Sequence, residues 1–277
     1  MGRRRQKKRP QKAEPRGEKR GRRLRRAAVV FVGVALVPAC LAAGLLLSGL
    51  VGGGSGPRTA VIVDQLSLTF ANPSFAETAT ATLEQAGYAV DYYPGDQVTV
   101  EFFRNLATYG YDLIILRVHS GLVEERDIAT GNVTETEYVS LFTGEPYDET
   151  KHAEEVRAGP LGIATYYDGG PQYFGIGPTF IKSSMKGKFD DTTVILMGCD
   201  GLRSHETAEA FLDRGARAFV GWSGPVSAAH TDAATERLLE KLLIEGLPLA
   251  NAVTQTAAEV GPDPEYESTL LVHPPGG

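Results

Sequence analysis

Beyond residue 58 the chain alternates short, unbroken apolar runs with segments whose apolar residues recur every three or four positions. The run "TAVIVDQL" (59–66) predicts a buried strand. "PSFAETATATLEQAG" (73–87) predicts a helix on the spacing of Phe75, Ala79, Leu83 and Ala86, closed by Gly87. "YAVDYY" reads as a second strand, "TVEFFRNLATYG" as a second helix, and "YDLIILRVHSG" (111–121) as a third, longer strand. The same rhythm returns in "TTVILMGCDG", a helix over 204–216, and a strand over 217–227. Two further helical segments follow, "HTDAATERLLEKLLIEG" and "PLANAVTQTAAEVG", and then a last strand, "ESTLLVHP".

Apolar runs alternating with amphipathic helices imply an α/β domain whose mostly parallel sheet is covered on both faces. Residues 122–192 break the pattern with turn formers and tyrosines and read as a long irregular insertion, of the kind that is functional or mobile in compact domains.

Upstream the pattern is of another kind. From Ala27 to Pro57 there is no charged residue, and the apolar stretch, set at 27–51, is long enough at about 1.5 Å per residue to cross a ~30 Å hydrocarbon core. Residues 1–26 hold 14 of the chain's 28 Lys and Arg but two of its 34 acidic residues, so the formal net charge of −6 hides a basic tail on a strongly acidic remainder. By the positive-inside rule the tail stays in the cytoplasm and everything after a short Gly-rich linker (52–58) lies outside. A secretory signal peptide cleaved near "CLAAG" is the competing reading, giving a secreted domain. Beside a membrane span, anionic lipid headgroups suit the basic tail better than nucleic acid does.

The chain has two cysteines, Cys40 in the apolar span and Cys199 deep in the acidic domain. They are not placed to pair with each other, which leaves Cys199 as a free thiol. It closes the strand "TVILMGCDG", and His119 closes the strand "LIILRVHSG" eighty residues earlier. In parallel α/β sheets ligands sit beyond the carboxyl ends of the strands. If the two strands are neighbours, an imidazole and a thiol emerge at one edge, where imidazolium or the helix starting near Ser204 would lower the thiol pKa and favour the reactive thiolate. A small buried core thiol is the plainer alternative.

These two strand ends, in this order, resemble the caspase-like cysteine peptidases, the group of caspases, metacaspases, gingipains, clostripain, legumain and the CHAT domains. In that group an apolar strand ends in His, a small residue and Gly, and a later one ends in a small residue and Cys. "RGARAFVGWSGPVS" and "TERLLEKLLIEGLPLANAV" extend the resemblance, which runs over about 59–273 and leaves the insertion unmatched. It implies a caspase-like three-layer sandwich over 59–277, preceded by one transmembrane helix. It also implies a membrane-anchored cysteine endopeptidase with Cys199 as nucleophile and His119 as general base and acid. The backbone amides of Gly121 and Cys199 would hold the oxyanion, and Asp200, Trp222 and Ser223 would contact a peptide or protein substrate. Two other readings remain: a catalytically silent caspase-like module that binds a peptide or envelope partner, and a flavodoxin-like domain with a structural cysteine.

His152, His205, His230 and His273 form no metal-ligand spacing and read as surface or capping residues, with Asp232 serving the dipole of the helix it enters. No phosphate-cradling Gly-Lys-Ser loop or dinucleotide fingerprint follows the first strand, so neither a metal nor a cofactor is expected.

Overall fold

A computed structural model of the chain describes residues 56–126, 133–167 and 169–276. The basic tail, the apolar span at 27–51 and most of the 52–58 linker lie outside the described residues. Among the described residues no helix is long and apolar enough to cross a membrane.

Among the described residues ten strands form two sheets. The larger has the order β10-β9-β8-β3-β1-β2. Its members are β1 (Arg58–Asp64), β2 (Tyr88–Pro94), β3 (Leu113–Arg117), β8 (Thr192–Leu196), β9 (Ala216–Trp222) and β10 (Leu270–His273). All pair in parallel except β10, which runs antiparallel to β9 at one edge. β3 and β8 are buried at every position, which is why they read as continuous apolar runs without alternation.

Successive residues of these strands divide between two cores. On one face Val61, Val63, Ile114, Leu116, Val194 and Leu196 meet α2 (Val100–Asn105), α4 (Pro178–Ser183) and α5 (Glu206–Asp213). On the other, Ala60, Ile62, Ile115, Ile195 and Val220 meet α1 (Pro73–Gln85), α6 (Ala228–Leu239) and α7 (Leu249–Val260). Alternate side chains of a strand point to opposite faces, so two helical layers enclose the sheet.

The 122–192 segment is not irregular. With Ser120 and Gly121 it builds a second, antiparallel sheet of order β4-β5-β7-β6, from β4 (Ser120–Arg126), β5 (Val133–Pro146), β6 (Leu161–Thr165) and β7 (Gln172–Ile176), with α3 (Ala153–Ala158) between β5 and β6. Val139, Leu141, Phe174 and Ile176 from this sheet join the core shared with α2, α4 and α5. The alternation in β5 buries Val139, Leu141 and Thr143 but is broken by Gly144 and Pro146, which is what made the segment read as a loop. Thr207 on α5 fastens the sheet, accepting from Val139 N at 3.1 Å and donating to Val139 O at 2.8 Å.

Candidate active site at the ends of β3 and β8

The β3 and β8 ladder pairs Leu113 with Thr193 and Leu116 with Leu196, and Met197 N still donates to Leu116 O at 2.9 Å beyond the last paired residues. His119 follows Leu116 by three residues and Cys199 follows Leu196 by three, so both leave the same edge of the sheet. Both side chains are half-buried and line one cavity of about 350 Å³. Its walls are mostly apolar, from Leu66, Val118, Met197, Val226 and Ala228, with Glu265 and Tyr266 exposed at the rim. A larger cleft of about 790 Å³ lies elsewhere, between Asp96, Glu101, Glu145 and His152, and includes neither residue.

Gly198, just before the cysteine, is required by the chain's own crossing. A methyl group there would lie 2.4 Å from Val118 O and 2.2 Å from Ser120 Oγ. The glycine therefore admits the turn that carries His119, and Ser120 Oγ then ties the two strand ends by donating to Cys199 O at 2.7 Å. Gly198→Ala is expected to destabilise the fold by about 1–3 kcal/mol, because the nearest obstacle includes a backbone carbonyl. A chemical denaturation midpoint equal to that of the wild type would contradict this account of the crossing.

Both reactive groups rest neutral. Burial, reinforced by the positive charge of Arg117, lowers the His119 pKa to about 4. Burial pushes the Cys199 thiol up, the Val226 amide opposes that, and the negative charges of Asp200 and Asp263 add to the rise. The expectation of a lowered thiol pKa is therefore corrected. No imidazolium stands beside the thiol, and α5 begins only at Glu206, several residues past Cys199. The sulfur sits against Val226, donating to its carbonyl at 3.7 Å and accepting from its amide at 3.4 Å. The His119 ring is packed by Phe70, Phe142 and Tyr166, with centroids 5.7, 5.7 and 4.5 Å away, and its Nε2 is 2.9 Å from Thr69 Oγ1.

The other sequence-predicted site residues stand apart from the cavity. Gly121 faces Ser140 in the β4 and β5 ladder. Since Phe142 N bonds to His119 O, the alternation of an antiparallel ladder makes Gly121 and Ser140 the next hydrogen-bonded pair, which commits the Gly121 amide to the sheet. Trp222 is fully buried among the sheet and α6, its indole donating to Thr231 Oγ1 at 2.9 Å, so its side chain is closed to a substrate. Ser223 is bound to Thr269, whose amide donates to Ser223 Oγ at 2.9 Å. Asp200 is 6% exposed, at φ 60°, with an Arg203 guanidinium nitrogen 3.5 Å from its carboxylate.

Sequence reasoning missed the charged assembly beneath the histidine. Arg117 is fully buried. Its Nη1 donates to Asp64 Oδ1 at 2.7 Å, and its Nε and Nη2 grip Asp232 at 2.7 and 2.9 Å. Burial alone would lower the guanidinium pKa, but hydrogen bonds and charges from Asp232 and Asp64 more than offset it and raise it. Asp232 thus serves this pair and not the dipole of α6. The signal was available as a lone charge inside the apolar run "LIILRV". Gln65, also fully buried, accepts from the His119 amide at 2.9 Å and donates to Tyr166 OH at 2.8 Å. A loop over 261–269 borders the cavity, drawn in by Asp263, which accepts from the Ser227 amide and hydroxyl and from the amides of Glu265 and Tyr266. Among the described residues no cluster of His, Cys, Asp and Glu could hold a metal ion.

No family model matches the chain, and no curated protein matches it. Among solved structures it is similar to the Arg specific cysteine proteinase gingipain R, at 14% identity and a TM-score of 0.41. That match covers 73% of this chain and 42% of the other, so the chain spans less than half of the protein it resembles.

Proposed function

We propose that this chain is a caspase-like cysteine endopeptidase in which Cys199 attacks the peptide carbonyl and His119 moves the protons. The observation that carries the proposal is the shared cavity: the ladder register and the lining put the only described cysteine and an imidazole at one carboxyl edge of the sheet. A purely structural cysteine would be sealed in the core, whereas Cys199 is half-buried and borders open space.

The neutral resting pair sets the order of events. As Sγ attacks the carbonyl carbon, the thiol proton passes to neutral His119, and the carbonyl oxygen takes the negative charge. His119 then protonates the leaving amine, the C–N bond breaks, and an acyl thioester remains. Water, deprotonated by His119, hydrolyses the thioester and restores the thiol. The Cys199 amide is one donor to the oxyanion. The Ser120 amide takes the place expected of Gly121, because Ser120 and Leu141 form a pair whose amides point out of the ladder.

A second reading has its own support. The thiol is engaged with Val226, and His119 with Thr69, with no hydrogen bond between thiol and imidazole. That arrangement also suits a silent relative that binds peptides. A degenerate peptide library incubated with the full-length chain decides between them. Products seen with the wild type and lost in Cys199→Ala support the peptidase, and identical product profiles support the binding module.

The uncharged 27–51 span and the basic tail put this domain on the outer side of a membrane, with anionic lipid as the tail's partner. Release by signal cleavage is the alternative.

A further inference from the structure

Thr69 is an exposed residue in a short segment, 65–72, that crosses the site between β1 and α1, and the segment is fastened along its length. Gln65 holds the His119 amide at 2.9 Å. Arg117 Nη2 donates to Phe70 O at 2.9 Å. Asn72 Nδ2 donates to Asp232 Oδ2 at 2.9 Å, so the carboxylate that grips Arg117 also holds the far end. Between these tethers Thr69 Oγ1 reaches His119 Nε2 at 2.9 Å, while Phe70, Phe142 and Tyr166 pack the ring against rotation. His119 Nδ1 has no hydrogen-bond partner among the described residues.

A neutral imidazole carries one N–H, and the nitrogen that donates it cannot act as a base. We infer that Thr69 is the positioning residue of this site: its hydroxyl oxygen accepts the Nε2 proton, which makes Nδ1 the base, and the buried Arg117 assembly holds Thr69 in place. The inference rests on the dyad proposed above and adds to it a hydroxyl, held by a buried cation, as the group that orients the histidine. Thr69 does not line the cavity, so its contribution falls on proton transfer and not on substrate binding.

Two measurements on the full-length chain test this. The first uses ¹⁵N-histidine labelling at neutral pH, with His119 assigned from a His119→Gln sample. The expected result is a protonated Nε2 and a bare Nδ1 at His119, with the Thr69→Val variant shifting towards a mixture of tautomers and Thr69→Ser restoring the wild-type spectrum. The second is hydrolysis of a peptide taken from the library screen. Thr69→Val should lower kcat by about tenfold, the size of one lost hydrogen bond, with KM little changed and recovery in Thr69→Ser. A wild-type ring protonated at Nδ1 would overturn the inference, as would a Thr69→Val variant with unchanged spectrum and kcat. A wild type that cleaves nothing yet shows the Nε2–H tautomer, shifted by Thr69→Val, would sink the peptidase reading and leave Thr69 established as the residue that orients the ring.

Discussion

His119→Ala is expected to lower kcat/KM for a cleaved peptide by about 10²–10⁴-fold, the usual contribution of a positioned general base. Adding it to Cys199→Ala should cost nothing further, because two groups that act as one unit are not additive. The pH dependence gives a sharper test. The base must be neutral to accept the thiol proton, and burial together with Arg117 holds the His119 pKa at about 4. As pH falls from neutrality the wild-type kcat/KM should therefore hold its level past the ordinary histidine range and decline only near pH 4. In His119→Ala the remaining rate depends on free thiolate. Since burial pushes the Cys199 thiol up, that rate should climb with pH through the alkaline range. A wild-type acid limb centred near pH 6.5, with circular dichroism showing the fold intact, would contradict a buried neutral base.

Arg117→Met should destabilise the fold by about 3–5 kcal/mol, since removing one partner of a buried ion pair leaves uncompensated charge. Here two carboxylates lose their partner at once, Asp64 being 1% exposed and Asp232 5%. In a domain of this length the loss corresponds to roughly 10 °C in Tm. The triple variant Arg117→Met, Asp64→Asn and Asp232→Asn removes the stranded charges and should recover part of the loss. Thermal unfolding monitored by circular dichroism provides the measurement. A single Arg117→Met change of less than about 1 kcal/mol would mean that water reaches the aspartates freely. The same variant frees Phe70 O and loosens the segment that carries Thr69, so the tautomer balance of His119 should move with it.

Much of the larger sheet was legible in the chain because its signals are local. Buried parallel strands such as β3 and β8 read as unbroken apolar runs, and α1 announces itself by the spacing of Phe75, Ala79 and Leu83, the three residues it buries. The second sheet was not legible. Its strands carry turn formers, and its apolar residues become a core only when packed on α2, α4 and α5. Trp222 and Ser223 followed "VGWSG" as substrate contacts by analogy, but burial of Trp222 depends on where α6 lands, and that is not written in the strand.

At the site, the sequence by itself determined which groups stand at the carboxyl ends of two strands, because residue type and strand ends are local properties. It also placed a lone arginine in an apolar run, a charge that had to find partners. Only the tertiary structure decided the rest. The pairing of Leu116 with Leu196 brings the strand ends that carry His119 and Cys199 side by side, and both residues line one cavity. The fold brings Thr69 to the histidine, and Asp64 and Asp232 to Arg117 just before it, from two separate parts of the chain. It also reversed the expected ionisation, because desolvation and the Arg117 charge act through space and outweigh what a thiol and an imidazole adjacent in a motif would suggest.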